Sequence, residues 1–132
     1  MASVDAVLKM PNEYARVCFV SADFNMSTDV QRLFNSWFDG LDWLIQQNIP
    51  LGQAFIRKCG DVKVIYLVIT QYQYVRATYE NLQLVLADMY LKASADGITK
   101  IAFPNLPLFG LSVVRIAEAV ANVGGDIQMV FV

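Results

Sequence analysis

The apolar run from Val64 to Thr70, with the sequence VIYLVIT, constrains the fold of this chain more than any other feature. A strand with one face in water alternates apolar and polar side chains, whereas this run has no charged or strongly polar residue before its end. Such a continuous run indicates a strand that is buried on both faces of its sheet. The chain must therefore supply covering elements on both sides of that sheet.

Further strands are predicted on both sides of this run. Short apolar segments at residues 15–22, 98–103 and 127–132 have the length and composition of buried strands. The strand-like segment 53–57 is separated from the long strand 62–70 by the turn residues Gly60 and Asp61, which predicts a hairpin. Segments with helical spacing separate most of these strands. The pattern therefore predicts an α/β fold, with a mixed central sheet and helices on both faces.

The helices are predicted from capping residues and apolar spacing. Thr78 is expected to cap a helix that runs to about Ser94 and ends before Gly97. Its predicted buried residues are Leu82, Val85, Leu86, Met89 and Tyr90. A later helix is predicted over 111–123, with its inward side chains at Val114, Ile116, Ala117, Val120 and Ala121. Helical spacing also follows Asp29 and appears again from Leu41 to Asn48.

Composition limits the classes of function that fit the chain. The 132 residues suffice for a single domain, taken as 1–132, and hydrophobic residues make up 56% of them. The net charge of −2 and the lack of a basic cluster argue against electrostatic binding of nucleic acid. There is no histidine, and two cysteines cannot hold zinc by themselves, so neither a metal site nor a cofactor is expected. No signal sequence or membrane span is visible, and we expect an intracellular protein, cytoplasmic or nuclear.

Three segments carry a resemblance to a known family. The segment Thr78-Tyr79-Glu80-Asn81-Leu82 follows the central strand, the segment 20–34 contains Asn25-Met26, and Ile101-Ala102-Phe103-Pro104 ends a later strand. In order and spacing they resemble the macrodomain family, most closely its branch of small terminal ADP-ribose glycohydrolases. The resemblance covers nearly the whole chain. It implies a macrodomain-like three-layer sandwich with an ADP-ribose cleft at the ends of the sheet strands.

The two loops that bind the diphosphate in this family look altered in this chain. Glycine-rich loops allow successive backbone N–H groups to approach phosphate oxygens closely. At the first loop this chain has Ser27-Thr28-Asp29, and a carboxylate at a helix N-terminus would repel a phosphate. At the second loop it has Leu106-Pro107-Leu108-Phe109, and only Gly110 is retained. The resemblance therefore implies a family scaffold with degenerate ligand loops.

The resemblance also locates the catalytic positions. Hydrolysis in this branch depends on a lysine just after the central strand and an aspartate in the second loop, which fall at or near Gln71 and Ser112 here. Glutamine cannot form a Schiff base with an opened ribose, and serine cannot replace a carboxylate. We therefore expect no catalytic residues and, more generally, a chain that is not an enzyme.

Some ligand contacts remain possible by the same resemblance. Asp5 lies near the position of the acid that reads adenine, and Asn25, Gly110 and Phe131 are where a retained ligand would be touched. Each has a simpler interpretation as well: Asp5 is equally a solvated charge near the N-terminus, and Phe131 is equally part of the sheet core.

The apolar residues around the expected cleft favour a different role. The predicted interaction surface consists of Tyr72, Tyr74, Leu106, Leu108 and Phe109. Apolar side chains at the mouth of a cleft indicate a cleft that is filled or covered by another protein. The main hypothesis is thus a non-catalytic module for protein interaction or self-assembly as a homo-oligomer. The alternatives are an ADP-ribose or nucleotide site with residual hydrolysis, and RNA binding through Tyr72, Tyr74 and Arg76.

Overall fold

A mixed sheet between helices forms the centre of the computed structural model, which describes residues 6–7, 9–23, 41–72, 75–105, 109–123 and 125–132. The strands are β1 (Ala15–Ser21), β2 (Ala54–Cys59), β3 (Val62–Thr70), β4 (Lys100–Phe103) and β5 (Gln128–Phe131). The helices named here are α1 (Leu41–Gln46), α2 (Tyr79–Ala95) and α3 (Val113–Val123). The helix expected after Asp29 lies outside the described residues.

The strands lie in the order β2-β3-β1-β4-β5. β3 pairs in parallel with β1 and antiparallel with β2, and β4 pairs in parallel with both β1 and β5. The predicted hairpin is confirmed, because β2 and β3 pair along their length from Ala54–Leu67 to Cys59–Val62. The expected mixed sheet is therefore confirmed.

Helices cover both faces of this sheet, and alternation along β2 shows it. Lys58 and its register partner Lys63 lie on the same face of the sheet. The Nζ of Lys63 lies 2.6 Å from the carboxylate of Asp96, the residue just after α2. Phe55 faces the other way, and its ring lies 5.6 Å from that of Trp43 in α1. α2 and α1 therefore lie on opposite faces, which makes the fold a three-layer sandwich.

Burial explains why β1 and β3 have continuous apolar runs. Every residue of β1 is buried, and so is every residue of β3 from Val64 onward. Both strands lie inside the sheet and under helices, so neither has a side that faces water. Cys18 lies in this core as well, since it is 1% exposed.

The prediction for α2 is largely confirmed. The Thr78 hydroxyl accepts a hydrogen bond from the Asn81 amide at 3.1 Å, which caps the helix. Gly97, with a φ of +77°, ends it, and the Ile98 amide returns to the Ala93 carbonyl at 2.9 Å. Of the predicted buried side chains, Leu82, Val85, Leu86 and Met89 are buried, whereas Tyr90 is half-buried.

The predicted inward face of α3 is partly wrong. Ile116 and Val120 are buried as expected and Ala117 is half-buried, but Val114 is 65% exposed and Ala121 is exposed, whereas Ala119 is buried. Apolar residues occupy eight of the 11 positions of α3, so apolar spacing alone does not fix which part of this wide stripe faces the sheet. None of the helices within the described ranges is long and apolar enough to cross a membrane.

Candidate functional site

The parallel strands β1, β3, β4 and β5 bring their carboxyl ends to one side of the sheet, which we call the carboxyl edge. In open α/β sheets, ligands bind in the crevice outside these strand ends. The carboxyl edge is therefore where the candidate site is sought. Its described part comprises the strand ends and residues 22–23, 71–72, 75–78, 104–105 and 109–112.

A bulge places two buried hydroxyl groups side by side at the ends of β1 and β3. Val20 pairs with Val68 but Ser21 pairs with Thr70, so one extra residue of β3 lies between the two pairs. Ser21 is fully buried, and its hydroxyl donates to the Asp23 carboxylate at 2.5 Å. Thr70 is 2% exposed, and its hydroxyl has no hydrogen-bond partner among the described residues. A buried hydroxyl without a partner is costly, which makes it available to a ligand atom or a water molecule.

A backbone hydrogen bond joins the loop after β3 to the loop after β4. The amide of Ala77 donates to the carbonyl of Phe109 at 2.8 Å. Phe109 has a φ of +52°, and Gly110 follows with a φ of +80°. The side chain of Phe109 is half-buried and packs against the core.

Arg76 lies directly over Gly110. A Cβ atom added to Gly110 would lie 2.7 Å from the Nε of Arg76, and the Arg76 guanidinium donates to the Gly110 carbonyl at 3.4 Å. Arg76 is nevertheless exposed. The retained glycine of the second loop thus accommodates a cation that borders the carboxyl edge.

Phe131 belongs to an aromatic stack at the end of β5. Its ring lies 5.3 Å from that of Phe103, with the two planes 24° apart, and Phe103 lies 6.3 Å from Phe19. Phe131 is half-buried, whereas Phe103 is fully buried. One face of the Phe131 ring is therefore packed against the core, as the simpler interpretation expects.

The structure describes both residues at the expected catalytic positions. Gln71 is exposed just after β3. The hydroxyl of Ser112 accepts a hydrogen bond from the Arg115 amide at 3.2 Å, which makes Ser112 the N-terminal cap of α3. Both side chains lie at the carboxyl edge, but Ser112 serves the helix that follows it.

Three of the five lysines lie at the edge of the sheet opposite the carboxyl edge. Lys58, Lys63 and Lys100 lie at the opposite edge, where β2 ends and β3 and β4 begin. Lys92 is in the last turn of α2, and its Nζ is held by the Asp88 carboxylate at 2.7 Å and the Ala54 carbonyl at 2.8 Å. The fifth lysine, Lys9, precedes β1.

Among the described residues, the groups with shifted pKa values lie in or under the sheet and not at this edge. Burial raises the pKa of the Cys18 thiol, and chiefly burial raises that of the Tyr66 hydroxyl, its register partner in β3. Neither group is an accessible nucleophile. In the residues that the structure describes, no three cysteine, aspartate or glutamate side chains come together as a metal site.

The structure thus brings Gly110, Phe131, Tyr72 and Phe109 to one edge, with Tyr72 57% exposed. Asp5, Asn25, Tyr74, Leu106 and Leu108 lie outside the described residues, and their proposed roles stay predictions. Sequence reasoning missed the hydroxyls of Ser21 and Thr70. A polar residue at the end of each apolar run was the available signal.

Comparison with known proteins gives few sequence matches and many structural ones. No protein-family model matches the chain. The ADP-ribose glycohydrolase OARD1 of Homo sapiens is 28% identical over 87 residues, which cover 66% of this chain and 57% of that protein. The Bos taurus protein of the same name is 26% identical over 96 residues, covering 73% and 63%. The chain therefore spans less than two thirds of the length of these relatives.

Solved structures match over a larger share of the chain. The macrodomain of Mycobacterium tuberculosis DarG has a TM-score of 0.83 at 16% identity, covering 94% of this chain and 90% of that one. The macrodomain of Thermus aquaticus DarG has a TM-score of 0.81 at 17% identity, covering 93% and 90%. The structure of Thermosipho africanus DarTG in complex with ADP-ribose has a TM-score of 0.66 at 10% identity, covering 87% and 37%.

Proposed function

Because this chain has the macrodomain fold and resembles the ADP-ribose glycohydrolases in sequence, we propose that it is a macrodomain module that binds ADP-ribosyl groups without hydrolysing them. The binding site lies at the carboxyl edge. Lysine-dependent cleavage is not expected, because Lys58, Lys63 and Lys100 lie at the opposite edge of the sheet and Lys92 is engaged elsewhere.

The position of the lysines carries this proposal. Lys58, Lys63 and Lys100 lie at the opposite edge of the sheet, and Lys92 is engaged by Asp88 and Ala54. A Schiff base needs an amine at the reacting carbon, and a general base needs hydrogen-bond reach to the proton it removes. The chain has no histidine to take over either task.

Binding is supported by the groups that remain at the carboxyl edge. The Thr70 hydroxyl has no partner among the described residues, and Ser21 and Asp23 lie beside it. Arg76 offers a positive charge next to Gly110, where a diphosphate would meet it. Asp5, Asn25 and Phe131 are the further contacts that the family resemblance implies, for adenine and the riboses.

Calorimetric titration with ADP-ribose tests the binding. We expect a dissociation constant in the micromolar range and roughly tenfold or more weakening in Arg76→Ala, the loss typical of a charge-assisted hydrogen bond. Lys58→Ala removes the same charge at the opposite edge and should bind as the wild type does. If the wild-type protein gives neither heat nor a thermal shift at millimolar ADP-ribose, the ligand assignment is wrong.

The non-hydrolytic part needs its own assay. A peptide carrying a single ADP-ribosyl group on a glutamate is incubated with the protein, and free ADP-ribose is measured over time. We expect release at the rate of the buffer control. Release above that rate that survives repurification would overturn the non-hydrolytic part of the proposal.

A second candidate function is protein interaction or self-assembly through the rim of the carboxyl edge. Tyr72 and Val75 support it, since they are 57% and 50% exposed and lie close in sequence at this rim. Phe109 lies on the neighbouring loop. The double variant Tyr72→Ser/Val75→Ser should then lose association while it keeps its melting temperature. Unchanged association in that variant would remove the rim from consideration.

A further inference from the structure

Strand β2 is the last strand on its side of the sheet and pairs with β3 only. The register of this antiparallel pair fixes where the backbone groups of β2 point. The Val68 amide donates to the carbonyl of Gln53, just before β2, at 3.2 Å, so the odd-numbered residues of β2 bond to β3. The even-numbered residues direct their amides and carbonyls away from the sheet, to the free side of β2. They are Ala54, Ile56 and Lys58.

The first of these residues already has partners on the free side. The Asp88 carboxylate accepts from the Ala54 amide at 2.8 Å, and the Lys92 ammonium donates to the Ala54 carbonyl at 2.8 Å. These two side chains of α2 therefore take the place of a neighbouring strand at Ala54. Within the described part of the chain, no group does the same at Ile56 or Lys58. Their outward backbone groups stay open to a partner.

A groove runs along this open part of β2. It has a cavity volume of about 580 Å³ and lies between β2 and the last turns of α2. Ile56 and Lys58 line it from β2, Lys63 from β3, and Lys92 and Ala95 from α2. The free side of β2 thus combines outward backbone groups with a groove for side chains. An extended peptide that adds a strand to a sheet uses both of these features.

The charges in the groove determine which peptide it suits. Lys63 is paired with Asp96 at 2.6 Å, and Lys92 is paired with Asp88 at 2.7 Å. Lys58 is exposed directly opposite Lys63 on the same face, and among the described residues it has no acidic partner. Like charges at opposed positions repel, so a carboxylate from outside both relieves this repulsion and pairs with Lys58. A lysine on a terminal strand also opposes pairing with a second copy of that strand.

The other face of β2 is aromatic. The ring of Phe55 lies 5.6 Å from that of Trp43, and the Arg57 guanidinium lies 5.4 Å from the centre of the same indole. Trp43 is 45% exposed. Side chains of an added strand alternate between the two faces, so every second one meets this aromatic surface.

We propose that the free side of β2 binds an acidic, extended segment of another protein as an added strand. Its acidic side chains lie in the groove beside Lys58, and the apolar side chains that alternate with them lie towards Trp43. The outward backbone groups of Ile56 and Lys58 supply the main-chain hydrogen bonds. The groove is separate from the carboxyl edge, and this inference does not rest on the proposed function.

Fluorescence anisotropy tests the binding with the peptide Glu-Val-Glu-Val-Glu, which carries fluorescein at its N-terminus and an amide at its C-terminus. At low salt we expect a dissociation constant below about 1 mM. Lys58→Glu should bind about tenfold more weakly, because an attraction is replaced by a repulsion of similar size. Arg115→Glu is the matched control, since Arg115 is exposed and lies against Tyr79, at the end of α2 that is remote from the groove. No binding at millimolar protein, unchanged binding in Lys58→Glu, or an equal loss in both variants overturns the proposal.

N-methylated forms of the same peptide test the pairing of strands. Methyl groups on the glutamate amides or on the valine amides remove alternate hydrogen-bond donors, and a strand paired on one side uses only one of these sets. We expect one set of methyl groups to abolish binding and the other to leave it intact. Equal binding of both methylated peptides, or equal loss in both, overturns the addition of a strand. ADP-ribose titration of Lys58→Glu separates this proposal from the proposed function, since its affinity should equal that of the wild type.

Discussion

The amide of Ala77 donates to the carbonyl of Phe109 at 2.8 Å, and this bond ties the loops after β3 and β4 together. Phe109 and the following Gly110 both have left-handed backbone conformations, with φ values of +52° and +80°. Arg76, the residue before Ala77, then lies on Gly110. The two loops are therefore joined by a backbone hydrogen bond and by the packing of Arg76 on Gly110.

Gly110→Ala is expected to lower the free energy of unfolding by about 1–3 kcal/mol. The φ of +80° strains any residue with a Cβ, and that Cβ would also lie 2.7 Å from the Nε of Arg76. Gly52→Ala is the matched control, with a φ of +88° and no atom within 4 Å of the added Cβ. Urea unfolding measures the loss of stability in both variants. Backbone strain is common to the two, whereas crowding by Arg76 occurs only in Gly110→Ala. If Gly52→Ala is the more destabilising, the packing of Arg76 on Gly110 is not a constraint.

Ser112→Ala should destabilise the protein by about 1 kcal/mol, because it removes the acceptor that caps α3. Ser112→Asp keeps an acceptor and adds a favourable charge at the helix N-terminus, so its stability should stay within about 0.5 kcal/mol of the wild type. Thermal unfolding compares the three proteins. A loss in Ser112→Asp as large as in Ser112→Ala would argue against the capping role.

Asp88→Ala is expected to cost about 1–3 kcal/mol, the cost of leaving a buried donor unsatisfied. The Asp88 carboxylate accepts from the amide of the buried Ala54 at 2.8 Å and holds Lys92, which in turn donates to the Ala54 carbonyl. Glu118→Ala is the control, since its partner Arg115 is 3.8 Å away and both side chains are more than half exposed. Chemical denaturation should show little change in that variant. Equal effects would mean that the bond to Ala54 contributes nothing.

The strands and α2 were predictable because each carries a signal that tertiary packing does not alter. Continuous apolar runs indicate interior strands, and Thr78 and Gly97 are typical residues at the ends of a helix. Val114 was wrongly predicted to face inward because α3 carries no such signal. α3 is apolar at most positions, and its inward side is decided by its contact with α2.

The details of the candidate site depend on contacts between distant segments. The pairing of Ser21 with Thr70 requires the bulge, and the register of two parallel strands is not encoded within either one. The packing of Arg76 on Gly110 requires two loops to meet. The sequence gives the residue types at the strand ends, but only the assembled sheet shows which of them become neighbours.

Alkaline pH should destabilise the protein from about pH 8.5 upward, the ordinary pKa of a cysteine thiol in an unfolded chain. Burial raises the pKa of Cys18 in the folded state, so above that pH the unfolded chain releases a proton that the folded one retains. The free energy of unfolding then falls as pH rises, by up to about 1.4 kcal/mol per pH unit for this one group. Tyr66, whose pKa is also raised by burial, adds a second decline above about pH 10. Thermal unfolding from pH 7 to 10 should show a shallower decline of stability with pH in Cys18→Ala than in the wild type. The control is Cys59→Ser, at the half-buried cysteine, which should decline as steeply as the wild type. Parallel declines in all three proteins would show that the thiol of Cys18 is not the titrating group.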